Sequence, residues 1–418
     1  MDAMSRRGAG RVLVLGLLAA AATVLTLPAR AAEVPAEIAA RLTPAQLKAY
    51  QTWRKARGEF EKRHEMYWAT IEERRDNRRR KRSAGQPFTA ADYVAEQPPK
   101  YAGPALAPEI QRIVNDVRPP QPEQQLPNVT DFLAAAKTTF AFVPTPTTER
   151  EFKRRFAVEA LAAGLSKTQV VRVYALETGG QGTYDMQSGI DPLTRSGRPI
   201  SSALGYAQLL HANSINELVK HGEEFIRRLE QMAAAPGVTP ATAKSLRDKA
   251  EAVRRMQRVA RSVPNEWREH QRLAQTDRGM GIHALNLDAD IGPWLQVLKL
   301  KGLLVTAAEA GRTSLTGAEL ELMNLAGPRT GLEMMDPVAR PMPTANFFSQ
   351  GGYYRNGVVR EKTAAELLKA LDDRMDVHIK KAGAVEFAAV FDEVIAARSG
   401  ARSPVARVDV PSPTPVGR

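Results

Sequence analysis

Apolar residues recur at helical spacing along most of the chain, with polar residues between them, and this pattern predicts a mainly α protein. The first such run covers residues 35–83. There Thr43-Pro44 reads as an N-cap followed by proline at the first helical position, and Leu47, Tyr50, Trp53, Phe60, Tyr67, Trp68 and Ile71 fall at mostly helical intervals. The run ends in cations (Arg74, Arg75, Arg78, Arg79, Arg80, Lys81 and Arg82) just before Gly85 and Pro87, where positive charge stabilises a helix C-terminus. Prolines at 98, 99, 104, 108, 119, 120, 122 and 127 then predict a Pro-rich linker over residues 98–147, with a domain boundary near Pro144 and Pro146.

Capped helices follow. Thr148 opens one with Phe152, Phe156, Val158 and Leu161 on its apolar side and Gly164 at its end. Ser166 and Gln169 have capping-box spacing and open a second, through Val170, Val171, Val173, Tyr174 and Leu176, that stops at Glu177-Thr178-Gly179-Gly180. Residues 182–199, rich in Gly, Ser and Asp, read as a loop or small hairpin, and helical patterns resume over 201–232, 241–262, 288–308, 318–325 and 363–397. The tail, 399–418, has no periodicity and the composition of disorder.

The N-terminus changes the setting. Arg6, Arg7 and Arg11 form a positive region, residues 12–25 an apolar run too short to span a bilayer, and Ala29-Arg30-Ala31 a cleavage site before Ala32. Residues 1–31 thus read as a signal peptide, and the expected location is periplasmic or secreted, in a bacterial envelope. No later stretch is apolar enough for a membrane span. The chain has no cysteine, which excludes a disulfide scaffold, a thiol enzyme and a lipoprotein anchored through cysteine. Four arginines and Asp2 leave with the leader, taking the net charge from +13 to +10. Such a surface favours anionic partners, here membrane or wall rather than nucleic acid, with residues 74–82 as the candidate patch.

Several chemistries lack their signals. The six histidines are scattered, with no His-Glu-x-x-His pair, so no metal site is expected. Neither a Gly-x-Ser-x-Gly elbow nor a P-loop is present. Glu177 stands out instead: a carboxyl at the end of an apolar helix meets the negative end of the helix dipole in partly desolvated surroundings, and both favour its protonated form. A carboxylic acid kept neutral near pH 7 is what glycoside cleavage needs to protonate the leaving oxygen.

Three segments in order, Leu176-Glu177-Thr178-Gly179-Gly180, Ser202-Ala203-Leu204-Gly205-Tyr206-Ala207-Gln208-Leu209-Leu210 and Met323-Asn324-Leu325-Ala326-Gly327-Pro328, resemble the motifs of the lysozyme-like lytic transglycosylases and goose-type lysozymes. Asn286-Leu287-Asp288 through Leu295 is similar to the helix that packs beside the family's cleft. The resemblance covers about residues 148–376 and implies a lysozyme-like domain over 148–398, with a helical insert at 214–280 and a basic N-terminal helical segment at 32–97. It implies Glu177 as acid and then base, Ser202, Tyr206 and Gln208 as substrate-binding residues, and Asn324 as the group that orients others around Glu177. The implied reaction cuts the MurNAc–GlcNAc bond of peptidoglycan without a cofactor, a hydroxyl of the same sugar attacking to give an anhydro product; hydrolysis is the close variant. Hydrolysis with inversion wants a second carboxylate about 6.5–9.5 Å away, for which Asp185 and Asp191 are the candidates. Met323 stands where the family has a Tyr, and Tyr353 is the candidate to replace that hydroxyl. A non-catalytic peptidoglycan-binding or envelope assembly protein is the alternative.

Overall fold

The computed structural model describes residues 34–118 and 125–400. The expected signal peptide, residues 1–31, and most of the tail expected to be disordered lie outside them. The described residues are mainly helical and contain no strand, only isolated β-bridges. None of their helices is long and apolar enough to cross a membrane.

The chain divides into two compact units. The first takes in residues up to 62 together with 100–121. Its helices are α1 (Ala36–Ala39), the beginning of the 40-residue α2 (Pro44–Ser83) and α3 (Pro108–Val117). Ile38, Leu42, Tyr50 and Ile110 make its small core. Thr43 and Gln46 exchange backbone and side-chain hydrogen bonds of 2.9 and 3.3 Å at the start of α2, as the sequence predicts.

The second unit holds residues 63–99 and everything from 122 on. After the rest of α2 come α4 (Val129–Phe140), α5 (Glu149–Ala162), α6 (Lys167–Thr178), α7 (His211–Ala233), α8 (Pro240–Ala260), α9 (Trp267–Ala274) and α10 (Asp277–His283). They are followed by α11 (Ile291–Glu309), α12 (Gly317–Ala326), α13 (Pro328–Met334), α14 (Gln350–Arg355), α15 (Ala364–His378) and α16 (Ala382–Gly400). The expected insert is the α7–α8 hairpin with α9 and the start of α10 packed beside it.

Two apolar cores form inside this unit. One gathers α4, α7, α8 and α10, the other α5, α6, α12, α15 and α16. Helix α11 serves both: Ile291, Trp294 and Leu295 belong to the first, Val297, Leu300, Leu303 and Ala307 to the second. Residues 291–297 are buried on every side, as an all-round apolar helix must be.

The linker expectation for residues 98–147 needs correction, because α3 and α4 lie within it. Pro108 is the first residue of α3, where a missing N–H costs nothing, and Pro127 precedes Asn128, whose side chain caps α4 by accepting from the amides of Thr130 and Asp131. The prolines mark helix starts instead of breaking helices. Phe132, Ala136 and Phe140 of α4 are core residues, and the Thr145 amide donates to Asp288 at 2.8 Å. Residues 182–199 form a turn-rich loop in which the Asp191 carboxylate accepts from the amides of Leu193 and Thr194.

Helix α6 is fixed at both ends. The expected capping box forms between Ser166 and Gln169, with bonds of 2.9 and 3.2 Å. At the other end Gly179 is left-handed (φ 65°) in open space, and Gly180 (φ 72°) lies so close to the His378 carbonyl that a Cβ would overlap it. Gly180 also accepts a 3.0 Å bond from the Ala384 amide. Replacement of Gly179 by Ala is expected to cost about 1 kcal/mol, from φ alone, whereas Gly180→Ala should cost about 2–4 kcal/mol because the α15–α16 turn must also move. Urea denaturation of the two variants checks this, and equal losses would contradict the close approach.

Candidate active site

Glu177 occupies the next-to-last position of α6, with part of its surface open to solvent. The side-chain amide of Asn324, two residues before the end of α12, donates to its Oε1 at 3.1 Å. The same nitrogen lies 3.4 Å from both oxygens of Glu321, one turn earlier on α12. The two carboxyls thus lie close together around this nitrogen, and each shifts the titration of the other. On the far side of Asn324, its oxygen accepts from Lys299 Nζ of α11 at 3.1 Å. Three charged or titratable side chains, from α6, α11 and α12, therefore meet around the one amide of Asn324.

The packing that brings them together can be traced. A capping box, Thr316 with Glu319, starts α12, and Gly317 lets it approach the Arg172 side chain on α6 closely. Helix α11 carries Lys299 one turn after Gln296, whose Oε1 accepts from the Ala207 amide at 3.0 Å. A Cβ at Gly205 would overlap Gln296. The segment around Gly205 and the Glu177 cluster are thus held by adjacent turns of one helix.

Electrostatics follow from the geometry. Burial pushes the Glu177 carboxyl up to about 7, against the opposing pull of its hydrogen bond with Glu321, the Lys299 charge, Asn324 and the Arg374 charge. Burial and then the neighbouring Glu177 charge push Glu321 well above the usual carboxylate range. Lys299 is lowered by burial, with Glu217 and Glu321 pulling the other way. Two neighbouring carboxyls cannot both ionise cheaply, so the pair titrates as a dyad that retains a proton through neutral pH. It can hand that proton to a basic oxygen and take one back.

The other residues expected at the site lie elsewhere. Tyr206 is buried at 1 % exposure, its hydroxyl donating to Glu149 and its ring set edge-on to Tyr174. Gln208, at φ 41°, turns its amide to the carbonyls of Gly205 (2.8 Å) and Met186 (3.4 Å). Ser202 is buried; its hydroxyl accepts from the His211 amide and its carbonyl is bonded to His283, itself bonded to Ser214. Tyr353 is a core residue against Trp68 and Tyr354, its hydroxyl accepting from the Glu361 amide at 2.9 Å. Of the residues expected to bind substrate, only Asn324 is hydrogen-bonded to Glu177. Asp185 is paired with Arg195 at 3.0 Å and Asp191 is spent on its own turn, so the carboxyl that accompanies Glu177 is Glu321. Glu321 carries no signal of its own in the sequence, and Lys299 only that of a cation, with Lys301, in the middle of an otherwise apolar helix. No protein-family model, curated protein or solved structure matches the chain.

The dyad makes stability depend on pH. Glu177 binds a proton more tightly folded (about 7) than at its usual 4.5, so the folded state holds more protons than the unfolded state between those values. Its stabilisation is complete below about 4.5 and is lost as pH rises through about 7. Urea unfolding at pH 4.5, 6 and 8 is expected to show wild type losing stability relative to Glu177→Gln as pH rises. A constant difference between the two would remove the dyad.

Proposed function

We propose that this chain is an exported, peptidoglycan-cleaving glycosidase that acts on the MurNAc–GlcNAc bond as a lytic transglycosylase, with the Glu177–Glu321 dyad as its acid and base. The observation that supports this best is a proton-retaining carboxyl at the end of α6, bonded to Asn324, in the two positions where the family motifs put a catalytic Glu and an orienting Asn. In the reaction the dyad's proton goes to the glycosidic oxygen as its bond to the anomeric carbon breaks. A hydroxyl of the same sugar then bonds to that carbon and returns its proton to the dyad, which ends as it began. The Lys299 ammonium, reaching the dyad through Asn324, favours the ionised state that exists between the two transfers.

One observation favours a non-catalytic peptidoglycan-binding protein. Met323 is fully buried where the family has a tyrosine, and the Tyr353 hydroxyl is engaged with Glu361. Incubating the protein with purified sacculi and analysing released muropeptides by mass spectrometry separates the readings. Wild type is expected to release anhydro products, and Glu177→Gln to fall by about 10²–10⁴-fold. Glu321→Leu, which removes the pull of Glu321 that opposes burial at Glu177, should move the alkaline limb of the pH–rate profile to higher pH. Sacculus binding without release would establish the binding protein, and release that survives Glu177→Gln would eliminate the dyad as the acid.

A further inference from the structure

The basic run near the end of α2 does not present one uniform surface. Arg75, Arg78, Arg79 and Arg82, at helical spacing on one face, line a cavity of about 150 Å³ closed on its other side by α13 and the segment before α14, whereas Arg74 and Arg80 lie outside it. Arg78 is the fixed wall. It is 2 % exposed, donates to Glu333 at 2.7 Å and to the Asp92 carbonyl at 2.8 Å, and lies 4.5 Å over the Tyr93 ring. Arg82 takes the second oxygen of Glu333. That carboxylate is therefore shared by two guanidiniums, and no second carboxylate lines the cavity beside Arg75 and Arg79.

Arg75 pairs with Glu72 and donates to the Phe348 carbonyl, which sets it in place, whereas Arg79 pairs only with Asp76 three residues away, an exposed pair that holds a side chain loosely. Burial and the charges of Arg78 and Arg79 work against the Arg75 proton, a repulsion that an anion between them would relieve. Ser349 adds a hydroxyl whose oxygen accepts from the Gly352 amide, leaving its proton to donate into the cavity.

We propose that this cavity is a binding site for a phosphate group, separate from the Glu177 dyad. The cavity is small, and four guanidiniums against one carboxylate give it the charge for a compact anion. Planar guanidiniums match the oxygens of phosphate in bidentate fashion, and several converging on one point favour a dianion over a carboxylate. A free phosphate and a lipid phosphomonoester offer the same chemistry.

The full chain is titrated calorimetrically with inorganic phosphate, with acetate as the carboxylate control, and floated with phosphatidylcholine vesicles with and without phosphatidic acid. Arg79→Gln, exposed and bonded only within its own helix, should weaken phosphate binding at least about tenfold. Arg74→Gln removes the same charge outside the cavity and should leave binding within about twofold. Saturable binding of phosphate in that order of variants supports a soluble ligand, and capture by phosphatidic acid vesicles alone, in the same order, supports a headgroup. Absence of binding in both arms, acetate binding as tightly as phosphate, or equal losses in the two variants would overturn the site.

Discussion

Helix α11 is the constraint on which the second unit depends. A segment apolar on every side has to be covered on every side, and each large side chain it buries contributes about 1.5–3 kcal/mol. Covering it takes two groups of helices, so Trp294 and Leu295 sit in one core while Leu300 and Leu303 sit in the other. Lys299 lies where those two sets of contacts change over. Its charge reaches the dyad because the apolar residues around it leave its helix a single placement, and because Gln296, one turn before, is fastened to the backbone at Ala207.

Much of the fold was legible because the signals are local. The capping boxes at Ser166 and Thr43 and the cap at Thr148 involve groups within three residues of one another, and each forms as spaced. The linker was misread for the same locality. A proline excludes helix on its N-terminal side but favours one beginning at or just after it, and Pro108 and Pro127 do the second. Only the burial of Ile110 and Phe132 by partners elsewhere in each unit decides between the two.

The candidate site was half legible. Asn324 came from its motif, but Tyr206 shows how an amphipathic residue misleads. A tyrosine suits a sugar-lined cleft and an aromatic core equally well, and what decides is the partner of its hydroxyl, here Glu149, 57 positions away. Glu321 carried no distinguishing mark, since a glutamate in a capped helix is ordinarily solvated. Its character comes from the approach of α12 to α6 through Gly317, which buries it against a second carboxyl. Pairwise burial of this kind is a property of tertiary structure and leaves no trace in spacing.

Asn324 explains how such a pair is tolerated. Its amide has one orientation that works: nitrogen toward the two carboxyls and oxygen toward the Lys299 ammonium. Reversed, it would set an acceptor against two acceptors and a donor against a donor, so the flanking charges lock it. An aspartate there would add a third carboxyl and a lysine would compete with Lys299, whereas the neutral amide links the cation to the dyad without changing the charge. The dyad therefore keeps one proton and one negative charge facing one ammonium. That balance lets a partly buried site hold two carboxyls and still release a proton near neutral pH.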